Sequence, residues 1–231
     1  MGYNRRRLDA PGLYLPKETE DWQGGWLHVS CSGLDDLHTI PEARDKKELL
    51  NRLERVLSPR RILDAKRRPY PKLNNYADLY AFCVLDNHYH LLFKQLRPGG
   101  VKKIMRSVTR SYGDYFNKKF MREGQIFHSP YTTTFISNEE KAREKVAYIH
   151  LQHEVQFEKY MFCSHDYFMR SRRADWLASE AGLALFDGSP DKYMEYLTAN
   201  GPRILERKAA DRERRGPKPR VKRGPGSHLP L

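Results

Sequence analysis

At 231 residues the chain is long enough to bury a sizeable core, as one large domain or as one of about 150 residues with appendages. Its 42 Lys and Arg against 29 Asp and Glu give a formal net charge of +13, which points to a polyanionic partner, nucleic acid ahead of membrane. Three widely spaced cysteines without a CxxC argue against a disulfide framework or a zinc knuckle, and no apolar run is long enough to span a bilayer. With no apolar signal core at the N-terminus, a soluble cytoplasmic protein is expected. The 14 tyrosines offer flat faces on which unpaired bases can stack.

Residues 1–25 are rich in Arg, Pro and Gly, with Arg5-Arg6-Arg7 near the start, and read as a basic N-terminal arm. Trp26 to Ser32 alternates as a strand does and is closed by Gly33. From Ile40 to Leu57 the spacing predicts a helix with Leu49, Leu50, Leu53, Val56 and Leu57 along one stripe, ended by Pro59. Ile62 to Leu73 carries Pro69 and Pro71 and is expected to be a loop or a short edge strand. Tyr80 to Phe93 is aromatic, aliphatic and β-branched, bounded by polar Lys72–Tyr76 and by Arg97-Pro-Gly-Gly100, and predicts one buried strand. Val101 to Phe120 follows as a helix whose inner side holds Val101, Ile104, Met105, Val108, Tyr112, Tyr115 and Phe116. Its other side carries Lys102, Lys103, Arg106 and Arg110, with Lys118 and Lys119 near the end, and is a face for phosphate contacts, although such faces are usually just solvated.

Gln125 to Ile136 predicts a further strand, and Ser137-Asn-Glu-Glu140 is a capping-box pattern opening a helix that runs to about Phe157. On it Val146, Ile149 and His153 share one face, while Tyr148 and Gln152, four apart, are neighbours on another. Residues 26–160 are thus expected to form the main folded domain. A helical extension follows over 161–207, with short helices over Ala174–Phe186 and Asp191–Leu197, and a basic disordered tail over 208–231. The order of elements implies an α+β sandwich, an antiparallel sheet covered by helices on one face.

The chemistry gathers on the long apolar strand. His88 and His90 stand two apart, so both imidazoles leave one face and form a bidentate platform for a divalent metal. Asp86 and Asn87 beside them are polar groups in an apolar run and need a partner there. A third ligand has to come from elsewhere. Gln152 offers a neutral oxygen, and Tyr148, one helical turn earlier, lies within reach of a substrate bound to that metal. Tyr112 and Tyr115 are rival nucleophiles, but their spacing assigns them to the buried stripe of their own helix. His150 and His153 are further proton acceptors or else packing histidines, and His28 on the first strand is a lesser candidate for contact with the site.

Asn87-His-Tyr-His90 followed by Leu-Leu, then Asn117-Lys-Lys with Gly124-Gln-Ile-Phe, then Tyr148-Ile-His-Leu-Gln152 resembles, in that order, the HUH single-strand transposases. The likeness is nearest to the REP-associated tyrosine transposases and their insertion-sequence relatives, over roughly residues 26–160. Where REP-associated members commonly continue past the tyrosine with Asn-Pro, this chain has Gln152-His153, and the glutamine is what the insertion-sequence branch uses. The resemblance implies a ferredoxin-like fold, Tyr148 as nucleophile, and His88, His90 and Gln152 as ligands of Mg²⁺ or Mn²⁺, with Asp86, Asn87 and His153 as possible assistants. It further implies cleavage and rejoining of single-stranded DNA beside hairpins, either REP-like or at insertion-sequence ends, by a monomer or homodimer. A non-catalytic binder of structured single-stranded DNA or RNA is the alternative. A relaxase-like nickase shares the chemistry but usually brings a longer chain.

Overall fold

The computed structural model describes residues 23–34, 38–128, 131–153 and 159–215. Its elements run β1 (Trp26–Ser32), α1 (Ala43–Leu57), β2 (Ala77–Val84), β3 (His88–Gln95), α2 (Gly100–Lys119), β4 (Thr132–Ile136), α3 (Glu139–His150), α4 (His165–Phe168), α5 (Ser179–Ala184) and α6 (Pro190–Arg215). The four strands are ordered β2-β3-β1-β4 and every pair is antiparallel. That is the β-α-β-β-α-β arrangement of ferredoxin-like sheets, the expected fold class.

Strand alternation divides the core in two. Leu27, Val29 and Cys31 of β1 and Tyr89, Leu91 and Phe93 of β3 face α1 and α2, whose Leu49, Leu53, Ile104, Met105 and Val108 close the first layer. The opposite parity puts Trp26, Ala81, Cys83 and Leu92 against α3, α5 and α6 through Val146, Leu183 and Leu197. The two crossover helices therefore share one face, while α3 and the C-terminal extension cover the other, so helices lie on both faces where one was expected.

Several boundaries differ from the sequence expectation. The run from Tyr80 to Phe93 is two strands, because Leu85-Asp86-Asn87 turns the chain: Leu85 N donates to His88 O at 2.8 Å. Asp and Asn favour turns, and fourteen residues exceed the usual strand length. Of the strand expected from Gln125, only Thr132–Ile136 forms, with an isolated bridge from Phe127 to Gly33. The helix α3 ends at His150, and residues 154–158 lie outside the described residues. The short helix expected at Asp191–Leu197 is the start of a 26-residue helix that continues to Arg215, where disorder was expected from 208. The N-terminal arm up to residue 22 and the tail from 216 lie outside the described residues.

Polar contacts tie the layers. Asp45, buried on α1, accepts from Tyr115 Oη and Lys119 Nζ, both at 2.8 Å, and Tyr112 Oη donates to Thr39 O at 2.7 Å. The extension grips β2 along its outer edge: Val84 N donates to Phe162 O, Ser164 N to Phe82 O and Ala178 N to Leu79 O, at 2.8–2.9 Å.

Beneath that edge lies a buried chain of polar side chains. Ser164 Oγ lies 2.7 Å from His150 Nε2 and 3.2 Å from Phe82 O. His150 Nδ1 lies 2.7 Å from Tyr193 Oη, which is 2.8 Å from His165 Nδ1, so one continuous relay joins the four side chains. Burial, and after it the charge of His165, hold the His150 pKa well below its usual value.

Candidate active site

The site forms on the second face of the sheet, where β3 begins. His88 and His90 lie opposite Ser32 and Ser30 of β1, whose small side chains leave room for two imidazoles. The rings meet edge to face with centroids 5.3 Å apart. His88 is half-buried and its Nδ1 lies 2.6 Å from Asn87 Oδ1; His90 is only 8% exposed. His28 is on the same face, two residues before Ser30. Its Nε2 lies 3.0 Å from His90 Nδ1, and the two rings are nearly parallel, at 12°.

Helix α3 brings Tyr148 over this surface. Its N-terminus is fixed by Asn138, whose Oδ1 accepts from Lys141 N at 2.9 Å, and Ala142, Val146 and Ile149 bury its inner stripe. The Tyr148 ring stands edge-on to both His28 and His90, with centroids 5.9 and 5.7 Å away. Lys145, three residues earlier, sets its Nζ 4.4 Å from the centre of the Tyr148 ring. Gln152, just past the helix end and 6% exposed, donates from Nε2 back to Tyr148 O at 2.9 Å. From α6, Lys208 Nζ reaches Gln152 O at 3.4 Å.

The electrostatics follow from burial beside two ammonium groups. Burial is the main cause holding the His90 pKa well below the ordinary value, with His28, His88, Lys145 and Lys208 adding to it. Burial and then Lys145 do the same to His28. Both rings are therefore neutral at pH 7, the form in which imidazole can act as a metal ligand.

The residues fit a divalent metal of the kind the resemblance implies. Asn87 Oδ1 can only accept, so His88 carries a proton on Nδ1. Gln152 Nε2 donates to Tyr148 O, so the side-chain oxygen is the atom that would serve as a third, neutral ligand. Among the described residues no group of three or more His, Cys, Asp or Glu is arranged to hold a metal.

Other expected residues lie elsewhere. Asp86 is turned out to an ion pair with Lys46 at 2.7 Å, and His153 stacks on Tyr160 with centroids 4.2 Å apart. Of the possible assistants, Asn87 is bonded to a site histidine, His88. The basic residues of α2 belong to the layer on the opposite face of the sheet. Lys119 is held by Asp45 and Glu42, and Lys103 lies over the Tyr76 ring. Lys102 and Lys118 are exposed, and Arg106 and Arg110 line a groove with Asn117, His128 and Tyr131. Tyr112 and Tyr115 also sit in that opposite layer, which removes them as nucleophiles for this site.

Lys145 and Lys208 escaped the sequence reading. Lys145 was detectable by its i, i+3 spacing from Tyr148. Lys208 was not, being 56 residues from Gln152 in a segment whose composition reads as disordered.

Fold and site together define an α+β protein of ferredoxin-like topology, with paired histidines on a central strand beside a helix-borne tyrosine. No protein-family model and no curated protein matches the sequence. Among solved structures, that of a REP-associated tyrosine transposase bound to a REP hairpin is similar, with a TM-score of 0.48 and 12% identity, covering 69% of this chain and 88% of that chain.

Proposed function

We propose that the chain is a metal-dependent single-stranded DNA endonuclease and strand transferase, acting beside hairpins through a 5′-phosphotyrosine on Tyr148. The observation that carries this reading is the meeting of Tyr148 with His90 on one surface, at 5.7 Å between ring centres, with Lys145 against the same phenol. The net charge of +13 supports a polyanionic substrate.

In the proposed step Tyr148 Oη attacks a backbone phosphorus. The Oη–P bond forms, the P–O3′ bond breaks, and the phenolic proton ends on the departing 3′-oxygen. The phosphodiester energy is retained in the tyrosyl ester, so a second 3′-hydroxyl can reverse the exchange without a nucleotide cofactor. A divalent cation held by His88, His90 and Gln152 would stabilise charge on the non-bridging oxygens. Lys145 supplies positive charge to the phenolate that attack requires, and the burial of His90 and Gln152 keeps bulk water from competing at the phosphate.

The test is a denaturing gel of end-labelled hairpin-bearing single strands incubated with Mn²⁺. Wild type is expected to give a covalent protein–DNA adduct that Tyr148→Phe abolishes, and His88→Ala is expected to lose the adduct while still binding the hairpin. An adduct that survives in Tyr148→Phe overturns the assignment of the nucleophile. The second reading is a non-catalytic binder of structured single strands, which the net charge of +13 supports equally. Tight hairpin binding without adduct in wild type would establish it.

A further inference from the structure

His28 and His90 share one hydrogen bond, and its direction decides what His90 can do. Only one proton fits between Nε2 of His28 and Nδ1 of His90, 3.0 Å apart. If His28 donates it, His90 carries its own proton on Nε2 and has no lone pair there. If His90 donates from Nδ1, its Nε2 is a lone-pair donor and the His28 proton sits on Nδ1.

Resting on the metal reading above, we propose that His28 is a positioning residue, the acceptor that holds His90 as the Nδ1–H tautomer and aims its Nε2 at a divalent cation beside His88. Asn87 performs the same task for His88 from the other side, through Oδ1 at 2.6 Å. Each histidine of the pair is thus oriented by its own neighbour, one from the turn before β3 and one from β1. The contact is a fixed one. His28 is 7% exposed, its ring lies within 12° of parallel to His90, and the Tyr148 edge covers both rings. His28 itself is not a ligand in this arrangement, because its Nε2 is engaged by His90. Acceptors that orient ligating histidines in this way set both ring angle and basicity, and their loss weakens metal binding without removing a ligand.

The experiment compares wild type, His28→Gln and His28→Leu as full-length proteins. Glutamine can place an acceptor oxygen near the position of Nε2, whereas leucine keeps bulk without an acceptor. Mn²⁺ binding is followed by electron paramagnetic resonance of the free ion, without DNA. Histidine tautomers are read from ¹H–¹⁵N correlation spectra of the metal-free proteins. Leucine is expected to weaken Mn²⁺ binding about 10- to 100-fold and glutamine by no more than about threefold. The spectra should show His90 protonated at Nδ1 in wild type and His28→Gln, and a shift toward Nε2–H in His28→Leu. Equal Mn²⁺ affinity in all three, or an Nε2–H His90 in wild type, overturns the role of His28 alone. Failure of wild type to bind Mn²⁺ overturns the metal reading, and this proposal with it.

Discussion

Tyr193→Phe tests whether the C-terminal extension is anchored through the buried polar chain. The substitution keeps the ring, and with it the packing against Phe168 and Phe186, and removes one oxygen. That oxygen serves two nitrogens, His150 Nδ1 and His165 Nδ1, donating to one and accepting from the other. A buried polar group that loses its partner costs roughly 1–3 kcal/mol, so the two together cost roughly 2–6 kcal/mol if they add. Because both face one small cavity and relax together, the loss is expected toward the lower end, about 2–3 kcal/mol. Against a total stability of about 5–15 kcal/mol for a domain, that is a large fraction. Urea unfolding followed by circular dichroism measures it, with Tyr196→Phe as control. The Tyr196 ring is half-buried and its hydroxyl makes no hydrogen bond among the described residues, so that variant should stay within about 0.5 kcal/mol of wild type. If Tyr193→Phe behaves like the control, the polar chain does not anchor the extension, which is then held by apolar packing alone.

Gly100→Ala should destabilise by roughly 1–3 kcal/mol, since a Cβ there collides with the Tyr76 carbonyl oxygen, which already accepts from Leu96 N and Arg97 N. Gly113→Ala on the same helix meets only Ile126 Cγ1 at 4.0 Å and should be neutral or gain up to about 1 kcal/mol; thermal melts of the pair decide it. Tyr112→Phe gives up the bond to Thr39 O at a cost of about 1 kcal/mol but should leave covalent adduct formation intact, because it lies in the other layer. As for pH, the unfolded chain protonates His150 below about pH 6.5 while the folded chain, with its lowered pKa, does not. Stability from this residue is therefore full above that pH and falls as the solution is acidified, so a melting temperature that rises from pH 6.5 to 5.5 would refute the assignment.

The pieces of the site that follow a local period were legible in the sequence. His88 and His90 share a face because strand side chains alternate, and Tyr148 and Gln152 are neighbours because four residues make about one helical turn. The apolar stripes of α1 and α2 were visible for the same reason. The hairpin at Leu85-Asp86-Asn87 was missed because both of its strands are buried and the run is apolar on either side of a two-residue polar signal. The partnership of His28 with His90 depends on strand register, which joins residues 62 apart and has no local signature. The side of the sheet taken by α2 was also readable in principle. Tyr89, Leu91 and Phe93 form the more apolar parity of β3, and the crossover helices pack there, away from the histidines.

The grip of the extension on β2 has a consequence for the limits of the molecule. An outer strand whose backbone is open invites further strands to add, from a second copy or from an aggregating chain. Here residues 162, 164 and 178 occupy that edge. The extension thus acts as a plug, and the packed unit includes residues beyond 160. A fragment cut at residue 160 would keep Tyr148 and both histidines, yet it would bare the edge of β2 together with the apolar surface that α5 and α6 now cover.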